Sequence, residues 1–251
     1  MNSTSELPIG DPEFWAAVLE IIAIDILLGG DNAVVIALAC RDLPPEQRRR
    51  GIFWGVFGAV ALRVVLIFFA ISLLQVPFLK IVGALLLLWI GVKLLLPESR
   101  ESKHEIEASQ HLWGAVKTIV VADAVMSLDN VIAIAGAAND NMALVIFGLV
   151  VSVPIIVWGS KLVLHLMERF PWLITAGGAL LGWIAGGMFV HDVAAMDWIG
   201  ENASWLRVSA PAIGAVLVVA IGKLVGAHMK RPRADALDLA LNDRKSQGDP
   251  H

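Results

Sequence analysis

The stretch Asp25-Ile26-Leu27-Leu28-Gly29-Gly30-Asp31-Asn32 sets two carboxylates and a carboxamide inside an apolar run from Phe14 to Cys40. Adding 98 to each position carries Asp25 to Asp123, Asp31 to Asp129 and Asn32 to Asn130, within a second apolar run from Leu112 to Ala138. Two acids and an amide therefore recur in register. A carboxylate at the centre of a membrane helix costs roughly 2.5–3.5 kcal/mol on the lenient insertion scale, so four cost on the order of 10–14 kcal/mol. That is comparable to the roughly 5–15 kcal/mol net stability of a whole domain, so these acids need partners. A bound divalent cation, with protons as its competitors, is the partner the residues point to.

The surrounding composition sets the environment. Of 251 residues, 57% are apolar and 17% charged, and the mean hydropathy is +0.74. This excludes a disordered chain and argues for an all-α, polytopic membrane protein in contact with the lipid bilayer, with no nucleic-acid partner expected. The first apolar run is too long for a signal-peptide core and has an acidic flank, so it reads as a retained helix. The single cysteine, Cys40, lacks the neighbours of a thiolate metal site.

Seven apolar segments give seven expected transmembrane helices. The expected plan is an outer tail 1–13, a first three-helix unit 14–96, a cytoplasmic linker 97–110, a second three-helix unit 111–190, an outer loop 191–207, a seventh helix 208–227 and a cytoplasmic tail 228–251. The loop Arg41 to Arg50 holds four arginines and reads as cytoplasmic. Across the plan, twelve Lys and Arg fall on the inner loops and tail against two outside, Lys80 and Arg207, which places the N-terminus out and the C-terminus in. Gly29 and Gly30 weaken the first helix beside Asp31 and predict a kink or an unwound turn there. Pro154 predicts a kink in the fifth helix.

Three helices per unit mean that the second unit enters the membrane in the opposite sense, an inverted 3+3 repeat plus one helix. Leu86-Leu87-Leu88-Trp89-Ile90 matches Leu180-Leu181-Gly182-Trp183-Ile184 at an offset of 94, so about four residues are missing from the second unit's first loop. In inverted-repeat transporters the site lies near the midplane where the repeats meet. The candidate metal ligands are Asp25, Asp31, Asn32, Asp123, Asp129 and Asn130, a hard oxygen set suited to Mg²⁺, Ca²⁺ or Mn²⁺. Four ionised acids around one divalent ion leave two excess negative charges, which motivates proton exchange. Arg63, in the second helix, is a possible charge partner, with helix packing or snorkelling the competing role. Lys93, Lys117, Lys161 and Lys223 read as snorkelling residues, and Trp15, Trp54, Trp113, Trp172, Trp198 and Trp205 as interface anchors. His191-Asp192 is a weak metal-like pair and more simply a solvated loop.

At Gly29-Gly30-Asp31-Asn32 and Ser127-Leu128-Asp129-Asn130, each preceded by an Asp six residues before its acid, the chain resembles the TerC family of bacterial integral membrane proteins. The resemblance covers all seven expected helices, about Phe14 to Ala227. It implies a bacterial inner-membrane manganese exporter, related to the LysE-type and wider cation-exporter groups. Mn²⁺ is then the transported ion, and the six Asp and Asn residues acquire metal-site roles. It also implies possible partnership with the secretion machinery or with secreted metalloproteins that receive Mn²⁺. No enzymatic activity is expected. Two rivals stand beside this reading. A non-transporting scaffold for tellurite-resistance or secretion partners would not depend on the acids. An intramembrane aspartyl protease needs a Gly-Xaa-Gly-Asp pattern, which fails because position 28 is Leu.

Overall fold

Long apolar segments in lipid have no water to satisfy their backbone, so each closes its hydrogen bonds within a helix. The computed structural model describes residues 12–69, 72–73, 76–96, 105–137 and 142–247. Among them lie eight helices: α1 (Pro12–Cys40), α2 (Pro45–Phe68), α3 (Leu79–Leu95), α4 (Glu105–Ala137), α5 (Met142–Arg169), α6 (Trp172–Val190), α7 (Val193–Asn202) and α8 (Leu206–Gln247). No strand is present among the described residues. Among the described residues five segments are long and apolar enough to cross a membrane: Pro45–Phe68, His111–Leu128, Val145–Arg169, Trp172–Val190 and Leu206–Met229. A sixth follows if Val18–Asp25 and Gly30–Cys40, bent by 49°, form one span. The remaining expected span, α3, has 17 residues, about 25 Å at 1.5 Å per residue against a hydrocarbon core of roughly 30 Å.

Several boundaries differ from those the sequence predicts. Most of the arginine-rich loop is helical, because Pro45 sits at the first helical position of α2 and Glu46 favours its first turn. The linker is helical from Glu105, while residues 97–104 lie outside the described residues. The expected outer loop contains α7, capped by Asp192. The tail continues α8 through Gln247, where the run Ala234-Asp235-Ala236-Leu237 and its neighbours is rich in strong helix formers.

The interior is mostly apolar with a few polar groups enclosed in it, and large apolar side chains also cover the outside, as a lipid-facing surface requires. Buried polar groups include Asp25, Asn32, Arg63, Asp123, Ser127 and Ser152, while Phe57, Leu85, Trp158, Val216 and Leu224 face outward. All six expected anchor tryptophans are exposed. One apolar core joins Leu38, Leu87, Ala122, Leu181 and Met188 across α1, α3, α4 and α6. A second joins Ile36, Ile52, Val56, Ile119 and Ile156 across α1, α2, α4 and α5. The close approach of α6 and α8 depends on glycine: a Cβ on Gly182 or Gly186 would meet α8 backbone at Gly214 or Ala210. Small residues four apart are the usual means of bringing membrane helices into such contact.

Asp192 is buried rather than solvated. Its carboxylate accepts from Ala194 N at 2.8 Å, Phe78 N at 2.9 Å, Lys80 N at 2.9 Å and Ile81 N at 3.2 Å. It therefore satisfies orphan donors at the starts of both α3 and α7, and holds Phe78 in its left-handed conformation (φ 66°). Burial works to raise its pKa, but the four N–H donors outweigh it and hold the carboxyl below its ordinary value. The stability it contributes is thus complete above the unfolded value of about 3.9 and fades as pH falls below it. Asp192→Ala is expected to lower the unfolding midpoint in detergent at pH 7. The gap to wild type should narrow below about pH 4, and a gap independent of pH would contradict the ionised cap.

Candidate functional site

α1 remains helical through Gly29 and Gly30 but bends there, so the expected break takes the form of a bend rather than an unwound turn. On its near side Asp25 is 1% exposed; Arg63 from α2 is 2% exposed and Asp123 from α4 5% exposed. The three meet. Arg63 Nη1 donates to Asp25 Oδ1, Nη2 donates to Asp123 Oδ1, and Nε donates to Ser127 Oγ at 3.0 Å. Ser127 Oγ in turn donates to Asp123 Oδ2 at 3.3 Å. The Ser152 hydroxyl of α5 lies against Asp25 Oδ2 and 2.8 Å from the Leu149 carbonyl. Four helices thus contribute to one polar cluster inside apolar walls.

The choice of arginine follows from geometry. A planar guanidinium presents donors in a fixed fork and can serve two carboxylates at once, which an ammonium point charge does poorly. With both acids ionised the cluster carries one net negative charge. Arg63 is therefore a charge partner for two acids, one from each expected repeat. It is not the snorkelling residue that the sequence left as the alternative.

Past the bend the environment changes. Asn32 is buried, yet neither Oδ1 nor Nδ2 has a hydrogen-bond partner among the described residues, and Asp31 Oδ1 likewise has none there. A buried polar group left unpaired costs about 1–3 kcal/mol, so each such atom is a candidate contact for a ligand or water. Asn32 lines a narrow cleft with Arg63 and Asp123, walled by Val35, Val56 and Ile119. Its free volume of about 10 Å³ is about what one water requires. Asp31 lies within electrostatic reach of Asp123 and Arg63.

Of the six expected ligands, the structure brings Asp25 and Asp123 together at Arg63 and sets Asn32 on the cleft that Asp123 also lines. Asp129 and Asn130 belong to the backbone of α4, but their side chains lie outside the described residues. No three of His, Cys, Asp and Glu gather as a metal-ligating group among the described residues. Two of the four carboxylates are instead already bonded to a cation of the protein itself. Sequence reasoning missed Ser127 and Ser152. The first was discoverable, since it lies four residues after Asp123 on the same helix face; the second carries no local signal.

These features define an all-helical, multi-pass membrane protein with a buried acid and guanidinium cluster between its helices. The family model described as "Integral membrane protein TerC family" matches residues 10–231, and the chain belongs to that family. It is 50% identical over 180 residues to the uncharacterized membrane protein YjbE of Bacillus subtilis (strain 168), covering 72% of this chain and 82% of that one. It is 26% identical over 183 residues to the uncharacterized membrane protein YceF of the same organism, covering 70% and 71%. The match to the UPF0053 protein YegH of Escherichia coli (strain K12), at 29% over 184 residues, covers 66% of this chain but 35% of that longer protein. No solved structure matches.

Proposed function

We propose that the chain exports a divalent cation, Mn²⁺, from the cytoplasm across the bacterial inner membrane in exchange for protons. The observation that carries this reading is the set of unpartnered buried oxygens on Asp31 and Asn32, next to a carboxylate pair whose charge Arg63 only half neutralises. Hard oxygen donors between apolar walls suit Mn²⁺, Mg²⁺ or Ca²⁺, and the family resemblance favours Mn²⁺ among them. Asp31 and Asn32, with Asp129 and Asn130, would hold the ion; Asp25 and Asp123 act through the field of the Arg63 cluster. Counting Arg63 lowers the excess charge around a bound divalent ion from two to one.

The inverted repeat gains support from packing. α1 lies along α5 and α4 along α2, while α3 packs on α6; exchanging the two units maps this pattern onto itself. Ile21 and Ile119, which are 98 apart, each seat on a glycine of the opposite unit, Gly148 and Gly55. Leu87 and Leu181, which are 94 apart, are both fully buried. α3 then completes seven spans, with the N-terminus outside.

Coupling is favoured energetically. Moving two positive charges outward against an inside-negative potential costs about 4.6 kcal/mol per 100 mV, so an uncoupled pore would admit the ion instead. No enzymatic step is part of this reading. The test is Mn²⁺ flux by the purified chain in proteoliposomes under an imposed pH gradient, with Mg²⁺, Ca²⁺ and Zn²⁺ as competitors. Gradient-driven Mn²⁺ movement is expected. Flux indifferent to the gradient would remove the exchange, and no flux from folded protein would favour the scaffold reading.

A further inference from the structure

The four arginines between residues 41 and 50 divide into two kinds. Arg41 donates to the Leu96 carbonyl at 3.0 Å and pairs with Asp42; Arg48 donates to the Leu43 and Arg41 carbonyls and pairs with Glu168. Both are consumed in holding the end of α1 to its neighbours. Arg49 and Arg50 are exposed and make no ion pair among the described residues. With Lys161 of α5 they line a recess of about 490 Å³ between α2 and α5, completed by Glu46, Phe53, Trp54 and Val157. Three cations face one carboxylate, an excess of two positive charges.

The recess also has an apolar side. Phe53 and Trp54 meet edge to face with centroids 5.5 Å apart, and Trp54 and Phe57 at 6.0 Å. All three rings are about half exposed or more, at 59%, 48% and 59%. They form a stripe leading from the charged recess along the outer surface of α2.

We propose that this recess binds the phosphate headgroup of an anionic phospholipid, with the acyl chains lying along Phe53, Trp54 and Phe57. Positive charge at a cytoplasmic helix end would by itself require only that arginines lie near the membrane. It would not require that a lysine from the other unit share a cavity with them, nor that two of the four arginines make no ion pair among the described residues. Phosphate answers the excess positive charge, and basic recesses between helices at the inner surface suit such headgroups. An exposed aromatic stripe running from the recess along α2 favours an amphiphile over a free oxyanion, which shares the phosphate chemistry but has no chain to lay down.

The experiment is native mass spectrometry of the full chain in detergent, titrated separately with phosphatidylglycerol, cardiolipin, phosphatidylcholine and inorganic phosphate. Wild type is compared with the triple variant Arg49→Gln, Arg50→Gln, Lys161→Gln. A control removes the same number of charges from the tail through Arg231→Gln, Arg233→Gln and Lys245→Gln. A charge-preserving variant, Arg49→Lys with Arg50→Lys and Lys161→Arg, guards against loss of fold. Anionic lipid should stay bound to wild type, the tail control and the charge-preserving variant, and bind about tenfold or more weakly to the recess variant. Phosphatidylcholine and inorganic phosphate should be retained by none. Equal anionic-lipid binding by the recess and tail variants would overturn the proposal. Inorganic phosphate binding as well as lipid would overturn it too, by assigning the recess to a free oxyanion.

Discussion

Asp31→Asn and Asp129→Asn should each bring Mn²⁺ flux in proteoliposomes down to background, and Asp31→Asn should leave the unfolding midpoint close to that of wild type. The substitution keeps the shape of the side chain and removes one charge and one hard anionic ligand. Among the described residues Asp31 forms no ion pair and its Oδ1 has no hydrogen-bond partner, so the folded state loses little. Disturbing a partner of a metal ligand already costs about 10–100-fold in affinity or activity, so loss of the ligand itself should cost at least as much. Asp25→Asn differs in kind, because Asp25 bonds to Arg63 and Ser152; it should lower stability and flux together. Stability and flux measured side by side separate the two acids of the stretch. If Asp31→Asn transports at the wild-type rate, the ion does not bind at this amide and acid.

The parts of the fold that local sequence determines were legible. Apolar runs of sufficient length form helices because the bilayer leaves no alternative, and the 98-residue offset related Asp25 to Asp123, which meet at Arg63. Paired glycines gave the position of the bend in α1. What could not be read depends on helix rotation and on contacts distant in sequence. Arg63 lies 38 residues from Asp25 and 60 from Asp123, and a different rotation of α2 would have turned it toward lipid. Asp192 looked like a loop acid because its donors at Phe78, Lys80 and Ile81 are more than 110 residues away. α7 was hidden in a segment judged by polarity, and the extension of α8 by the same criterion, although propensity along the tail favoured a helix. The candidate residues were thus proposed from repetition, and the guanidinium that pairs with two of them only as one of two alternatives.

Arg63→Ala should destabilise the protein by about 3–5 kcal/mol, the usual consequence of removing one partner from a buried ion pair and leaving the other uncompensated. Here two carboxylates are left in that state, and Ser127 Oγ loses its Nε donor. Arg63→Lys should recover only part of the loss, because one ammonium cannot reproduce the fork between Asp25 and Asp123. Arg63→Met combined with Asp25→Asn and Asp123→Asn removes the charges along with their partner, and should be more stable than Arg63→Ala. Thermal unfolding in detergent, with and without Mn²⁺, distinguishes a structural ion cluster from one that also faces the transported ion. If the cluster adjoins the ion site, Arg63→Ala makes that site more negative, and Mn²⁺ should raise its unfolding midpoint by more than it raises that of wild type. Equal shifts in the two proteins would confine Arg63 to holding α1, α2 and α4 together. An Arg63→Ala midpoint equal to that of wild type would mean that the buried acids do not depend on the guanidinium for their charge balance.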